Sequence, residues 1–158
     1  MATWAEFERA APELAAFGRE RLDGTVCFQA TLRLDGSPRV HPVEPWIATG
    51  LLLVRFRARS PKVREVSRDA RYALHSPMDN PEGIGGEFLV NGWMEQVSPE
   101  LPATRRFAEE APYPLAFYAM WVEEAVGTTY EEDEPIYRRW RASDQATRPG
   151  DPSGAENS

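Results

Sequence analysis

The sequence predicts a mainly β domain, an antiparallel barrel with short helices. About seven stretches have the composition of strands, and most are separated by the short turns of hairpins. The clearest strand is residues 25–34, in which Val26, Phe28, Ala30, Leu32 and Leu34 alternate with more polar residues. This two-residue period is typical of a half-buried strand. A parallel α/β sheet would need helical crossovers between successive strands, so the hairpin spacing favours an antiparallel barrel.

Length and composition indicate one folded domain. The 158 residues suffice for a core, and the 42% apolar and 27% charged residues are ordinary for a globular protein. We expect a single domain with N-terminal helices over residues 1–142. A disordered tail is expected over 143–158, which is polar and rich in Gly and Pro. The first residues lack the pattern of a signal peptide and no window approaches a membrane span, so the expected location is cytoplasmic.

The charge distribution excludes some partners and suggests another. A formal net charge of -7 works against nonspecific attraction to nucleic acid or to an anionic membrane. Residues 55–71 are the exception, with seven basic residues against two acidic ones. This segment is either a solvated, arginine-rich surface or a local anion site. The single cysteine, Cys27, excludes an intrachain disulfide and is expected to be a buried thiol.

Two helices are expected before the first strand. Thr3 and Glu6 have the spacing of a capping box, which predicts a short first helix. Pro12 suits the first turn of a second helix, because its missing N–H has no partner there in any case. Asp23-Gly24 follows Leu22, so the second helix is expected to end at about Leu22.

Turn residues divide the rest of the chain. Asp35-Gly36 turns the first strand into a return strand at 39–48, in which two prolines imply an edge, a bulge or one-sided pairing. Short helices are expected after Ser60-Pro61 and after Ser98-Pro99, the latter to Ala111, since serine suits the N-cap and proline the first helical position. The remaining strands are expected at 51–58, 71–76, 87–97, 115–129 and 136–142.

The helix that starts at Ser60 has the composition of an anion site. A helix N-terminus offers unpaired N–H groups, and here a hydroxyl precedes it and Lys62 lies in its first turn. Lys62 is the only lysine among 18 basic residues. The alternatives are that Lys62 only solvates the surface and that Ser60 only caps the helix.

Four segments resemble the pyridoxamine 5'-phosphate oxidase-like proteins. They are Phe-Gln-Ala-Thr at 28–31, Asp-Gly-Ser-Pro-Arg-Val-His-Pro-Val at 35–43, Ser-Pro-Lys-Val-Arg at 60–64 and Arg-Asp-Ala-Arg-Tyr-Ala-Leu-His at 68–75. They occur in the order and spacing of that family, and the resemblance spans about residues 12 to 142. It implies a six- to seven-stranded antiparallel split β-barrel of the FMN-binding type. It also implies a homodimer with the cofactor at its interface.

The function that the resemblance implies is a flavin-dependent oxidoreductase. FMN would carry a hydride to or from a small molecule that the sequence does not identify. The alternatives are an F420-dependent reductase of the same fold and a non-catalytic carrier or sensor of flavin or haem. True pyridoxamine-phosphate oxidases add a C-terminal region that grips the phosphate of the vitamin. A polar tail follows Arg141 here, so we do not expect that activity.

The resemblance also assigns cofactor contacts, position by position. They are Arg39, Ser60 and Lys62 at the phosphate, Val40, His41, Pro42 and Val43 along the flavin ring, and Phe56 and Arg57 on the third strand. Trp140 and Arg141, near the end of the last strand, complete the set as residues that could reach a cofactor. The aromatic residues expected to form the dimer surface are Phe117, Tyr118, Trp121, Tyr137 and Trp140.

Other motifs carry no chemistry. His41 and Glu44 do not form a metal motif, and no second histidine or cysteine lies at a ligand spacing, so no metal site is expected. The glycines at 83–86 lack the third glycine of a dinucleotide fingerprint. No side chain is assigned as a catalytic acid or base.

Overall fold

The computed structural model describes residues 1–145, which fold around one antiparallel sheet of eight strands. The helices are α1 Trp4–Ala10, α2 Pro12–Leu22, α3 Pro61–Arg68 and α4 Arg105–Glu110, followed at the end by a 3-10 helix, Ala142–Gln145. The strands are β1 Cys27–Leu32, β2 Pro38–Val43, β3 Trp46–Ala48, β4 Leu51–Arg57, β5 Arg71–His75, β6 Glu87–Val97, β7 Leu115–Glu131 and β8 Glu134–Arg141. Their order is β2-β1-β5-β6-β7-β4-β3, and β8 pairs with β7. The predicted mainly β, antiparallel fold is confirmed.

The two N-terminal helices form where the sequence predicts them. Thr3 Oγ1 accepts a hydrogen bond from Glu6 N at 3.2 Å, and the Glu6 carboxylate accepts one from Thr3 N at 2.7 Å, which completes the capping box. A Cβ on Gly18 of α2 would lie 2.5 Å from the Phe88 ring. Glycine at this position therefore lets α2 pack closely on β6.

The expected return strand at 39–48 is in fact two strands. β2 pairs with β1, whereas β3 pairs with β4 at the opposite end of the sheet order. Pro45 lies at the break, because it cannot donate to a ladder. Pro42 is tolerated within β2, because β2 is an edge strand. The division raises the number of strands from the expected six or seven to eight.

The buried face of the β1–β2 hairpin contains several polar residues beside Cys27 and Val43. Gln29 and Thr31 are buried, whereas Phe28 is 48% exposed. On β2, His41 is buried and Val40 is 67% exposed. The two-residue period is as predicted, but the apolar set of β1 points outward.

The helix after Ser98-Pro99 begins later than expected. Residues 98–104 form turns, in which Ser98 Oγ accepts a hydrogen bond from Glu100 N at 3.1 Å, and α4 starts only at Arg105. Pro102 explains the delay, because a residue that precedes proline is disfavoured in the α conformation.

The aromatic residues of the last two strands mostly belong to the core. Phe117, Tyr118 and Trp140 are buried, Trp121 is partly exposed and Tyr137 is largely exposed. Trp140 packs on Phe7 of α1, with ring centroids 4.9 Å apart. The prediction that these five residues form a dimer surface is therefore wrong for three of them, because the chain covers these three itself.

The ends of the expected domain agree in part with the structure. Residues 143–145 belong to the short 3-10 helix, and the rest of the expected disordered tail lies outside the described residues. Within residues 1–145, none of the helices combines the length and the apolar character that crossing a membrane requires.

Candidate functional site

An open cavity of about 340 Å³ lies where β2, β4 and the start of α3 come together. Its lining consists of Pro42, Val43, Glu44, Arg55, Phe56, Arg57, Ser60 and Lys62. Six of these residues are predicted cofactor contacts. The tertiary structure therefore brings together most of the positions that the resemblance assigns to the second strand, the third strand and the helix start.

The N-terminus of α3 forms one end of the cavity. Ser60 is the N-cap, and its Oγ accepts a hydrogen bond from Lys62 N at 3.3 Å. Pro61 occupies the first helical position, where its fixed φ suits the helix. The capping role of Ser60 is confirmed, and its hydroxyl hydrogen stays free to donate to a ligand.

Lys62 directs a partly desolvated ammonium group at the cavity. Its Nζ lies 5.1 Å from the centroid of the Phe56 ring. Burial, assisted by the charge of Arg39, lowers the pKa of Lys62, while Glu65 acts in the opposite direction. No carboxylate among residues 1–145 forms an ion pair with this ammonium group. Its charge is therefore available to an anionic ligand.

Two arginines on β4 add positive charge to the cavity. The Arg55 guanidinium lies 4.2 Å from the centroid of the Phe107 ring, and that of Arg57 lies 4.2 Å from the centroid of Tyr113. The aromatic faces hold both guanidinium groups in place and leave their N–H edges free. Arg55 was not among the predicted contacts. The signal that could have found it is the two-residue period, which places it on the same face of β4 as Arg57.

Arg39 is not part of the cavity lining. Its Nη2 donates to Glu65 Oε1 at 2.7 Å, so part of the guanidinium is already in use. Arg39 helps to lower the pKa of Lys62, as a positive charge does to a neighbouring ammonium group. Arg39 thus contributes charge to the region, and its contact with a phosphate stays a prediction.

His41 belongs to the interior of the barrel. Its Nε2 lies 3.1 Å from Gln29 Oε1, and Gln29 Nε2 donates to the sulfur of Met94 at 3.3 Å. Burial, with smaller contributions from Lys62 and Arg39, lowers the pKa of His41 to about 4. The imidazole is therefore neutral near pH 7, and its side chain does not line the cavity.

Trp140 and Arg141 lie far along the sheet from the cavity. They pair with the C-terminal half of β7, at Ala125 and Glu124, whereas β4 pairs with the first residues of β7. Arg141 Nε donates to Glu124 Oε1 at 3.0 Å. The structure does not bring these two residues to the cavity of the same chain.

An apolar surface adjoins the cavity. We call it the outer face, and it consists of Phe28, Ala30, Leu32, Val40, Pro42 and Ala73. Cross-strand pairs connect its members, for example Ala30 with Val40 and with Ala73. Pro42 belongs both to the outer face and to the cavity lining, so the two are continuous.

No protein-family model and no curated protein matches the chain. Solved structures do match. One is a candidate pyridoxamine 5'-phosphate oxidase from Listeria innocua, at a TM-score of 0.59 and 14% identity over 73% of this chain and 95% of that one. The chain has the fold of the pyridoxamine 5'-phosphate oxidase-like split barrels.

Two other matches show how widely this fold is used. An F420 reductase aligns at a TM-score of 0.52 and 17% identity, over 66% of this chain and 91% of that one. The haem storage protein HutZ from Vibrio cholerae aligns at a TM-score of 0.54 and 13% identity, over 72% of this chain and 89% of that one. The split-barrel fold thus occurs with different ligands, and the ligand has to be argued from the site. Among residues 1–145, no group of three or more His, Cys, Asp or Glu side chains could hold a metal ion.

Proposed function

We propose that this chain binds FMN in the cavity at the start of α3 and acts as a flavin-dependent oxidoreductase on a small molecule. The observation that carries the proposal is the charge of the cavity. Lys62, Arg55 and Arg57 line it without an ion-pair partner among the described residues. Uncompensated cations around one cavity at a helix N-terminus are an arrangement for an anionic ligand.

The charges fit a phosphate monoester. The lining contains three cations and one carboxylate, that of Glu44, which leaves a net charge of +2. A phosphate monoester carries about -1.5 to -2 at pH 7, so it would neutralise the cavity. Ser60 and Lys62 would hold the phosphate through a hydroxyl, the free N–H groups of the first helical turn and an ammonium group.

The edge strand β2 suits the ring of a flavin. β2 pairs with β1 only, so one side of its backbone has no partner strand. The free backbone groups from Val40 to Val43, of which Pro42 offers only its C=O, could bond the polar edge of the ring system. Phe56 offers an apolar contact at the cavity wall. Bound flavin supplies the hydride chemistry, and the chain supplies binding, orientation and exclusion of water.

The outer face is the surface that we propose for a homodimer. The sequence led us to expect the last two strands at the interface, and Tyr137 there is exposed, but Phe28 and Val40 of β1 and β2 form a further exposed apolar surface. A second copy on this face would cover the open side of the cavity, because the two are continuous at Pro42. Arg141 is better placed than Trp140 to reach the partner's cofactor, since Trp140 is buried in its own core.

Two further functions have some support. F420 carries a longer acidic tail than FMN, and Arg55 and Arg57 extend the positive surface beyond the phosphate position. A carrier or sensor is favoured by the scarcity of acid–base groups, because Glu44 is the only carboxylate and no histidine lines the cavity. The cytoplasmic location expected from the sequence stays a prediction.

Absorbance and mass spectra of the purified, unheated protein test the proposal. We expect the absorbance of an oxidised flavin and the mass of FMN. Titration with FMN and with riboflavin, followed by flavin fluorescence, then measures what the phosphate contributes to binding. Release of F420 or haem would overturn the FMN assignment, and a bound flavin without turnover of any donor or acceptor would favour the carrier.

A further inference from the structure

A buried carboxylate lies on α3, one helical turn after Lys62. Glu65 of α3 is only 5% exposed, and its Oε1 accepts the hydrogen bond from Arg39 Nη2 at 2.7 Å. Its Oε2 is also buried and has no hydrogen-bond partner. Burying a charge that is only partly hydrogen-bonded is costly. The position of Glu65 therefore needs an explanation other than stability.

Glu65 shares its surroundings with the cations of the site. It follows Lys62 by three residues on α3, which places both on neighbouring turns of one helix face. Glu65 raises the pKa of Lys62, and Arg39 lowers it, so all three charges interact. The surroundings are partly buried, and charge interactions there are stronger than at an open surface.

The other nearby titratable group does not compensate the carboxylate. His41 faces the same interior from β2, but burial keeps it neutral near pH 7. Arg39 and Glu65 neutralise each other, and Lys62 stays as the net charge behind Ser60. An incoming phosphate would meet Lys62 at the helix start and a negative charge one turn further along the helix.

We propose that Glu65 is a specificity-determining residue that weakens the binding of the phosphorylated ligand, because its carboxylate competes with the phosphate for Arg39 and repels it. This inference rests on the proposed function, since it assumes that the phosphate lies at Ser60 and Lys62. Glu65 lies one helical turn after Lys62, near the proposed phosphate position, and it does not line the cavity, so the ring contacts should be little affected.

Glu65→Gln tests this inference, because glutamine keeps the shape and the acceptor for Arg39 but removes the charge. We expect FMN to bind about five- to tenfold more tightly to this variant, the effect of removing one nearby like charge. Riboflavin, which lacks the phosphate, should bind with unchanged affinity. Asp69→Asn is the matched control, because it removes a charge beyond the C-terminal end of α3, where Asp69 pairs with Arg71. It should change neither affinity.

A double variant keeps the test valid if Glu65→Gln does not fold. Replacing both partners of a buried ion pair with apolar residues is often tolerated. Arg39→Met with Glu65→Leu removes both the attraction of Arg39 for the phosphate and the repulsion by Glu65. The FMN affinity should therefore stay within about twofold of the wild type. A tenfold loss in this double variant would show that the pair serves phosphate binding, and it would overturn the inference.

The remaining outcomes separate this inference from the proposed function. If Glu65→Gln binds FMN equally or more weakly than the wild type, Glu65 does not compete with the phosphate, and the FMN proposal stands. If the wild type binds neither flavin, the proposed function fails. In that case, titration of both proteins with inorganic phosphate tests the role of Glu65. Tighter phosphate binding by Glu65→Gln than by the wild type would support the inference, and equal or weaker binding would contradict it.

Discussion

The two faces of the β1–β2 hairpin have opposite chemistry. The inner face buries the polar residues Gln29, Thr31 and His41 beside Cys27 and Val43, whereas Phe28 and Val40 of the outer face are apolar and exposed. A half-exposed hairpin ordinarily shows the reverse arrangement, because apolar side chains lose more by contact with water. The comparison shows that the two-residue alternation of a strand does not determine which of its two faces is buried. We attribute the inner face to the surroundings of the anion site and the outer face to contact with a second copy.

The largest expected effect is on the outer face. Val40→Glu would place a charge in the proposed interface, and we expect it to weaken dimerisation by about 100-fold, because an unpaired charge is costly to bury. Light scattering after size-exclusion chromatography measures the mass, which should fall from twice 17.8 kDa toward 17.8 kDa. Val40 is 67% exposed in the single chain, so folding should be unaffected.

A second surface variant makes the comparison sharper. Tyr137 on β8 is also exposed and belongs to the surface first expected from the sequence. Tyr137→Glu should leave the dimer intact. If Tyr137→Glu dissociates it and Val40→Glu does not, the interface lies on the last strands. If the wild type is a monomer that binds the cofactor tightly, the cofactor site is not shared between two subunits. The loop at residues 77–86 would then be the segment that covers the open side of the cavity.

The next effect concerns the cavity beside the hairpin, at the end formed by the start of α3. Lys62→Ala should weaken FMN binding by about 1 to 3 kcal/mol, the contribution of a charge-assisted hydrogen bond, without unfolding the barrel. Flavin fluorescence titration measures it. Arg139→Ala is the control, because Arg139 is paired with Glu124 and lies outside the cavity lining. Equal FMN affinities in Lys62→Ala and the wild type would place the phosphate elsewhere or exclude FMN.

The inner face predicts a dependence of stability on pH. The pKa of His41 is lowered to about 4 in the folded chain, and an unfolded histidine titrates near 6.5. Between these values the unfolded state binds more protons, so the free energy of unfolding falls as the pH falls. From pH 7 to pH 5 the loss due to His41 should be about 2 kcal/mol.

Denaturant unfolding at pH 7 and pH 5 tests this contribution. His41→Gln keeps a polar side chain that does not titrate, so its stability should fall less than that of the wild type. If His41→Gln and the wild type lose the same stability, the inner face does not hold His41 neutral.

The smallest effect distinguishes the two cofactors. Arg55 lies two residues before Arg57 on β4, and so further from Ser60. Arg55→Gln should weaken FMN binding less than Lys62→Ala does, because Arg55 lies further from the helix start that would hold the phosphate. It should weaken F420 binding more, because the longer acidic tail would extend along β4. Equal effects on both cofactors would contradict this account of the cavity.

Local signals predicted the elements well. The capping box of Thr3, the Ser60-Pro61 helix start and the two-residue period of β1 depend on neighbouring residues alone, and the structure contains all three. Signals that need a partner strand were less informative. The break at Pro45 exists because β3 pairs with β4, and this pairing is not visible in the spacing of residues.

The candidate site was predictable in its positions but not in its contacts. The helix start at Ser60 and the contacts on β2 and β4 came from the resemblance and from the basic segment, and six of them line one cavity. Arg55 was missed, because its role depends on how Phe107 of α4 packs against β4. The pairing of Arg39 with Glu65 was also missed, since it joins residues on β2 and α3.

The sequence by itself determined the antiparallel β class, most element boundaries and the helix start at which we propose an anion site, because propensity, capping and turn chemistry act over a few residues. Only the tertiary structure decided which face of β1 is buried, where Trp140 lies and which cations are already paired. These properties depend on contacts between residues far apart in the chain. The two-residue alternation is the same whichever face of a strand is buried. Only the packing of the other elements against the strand selects the buried face.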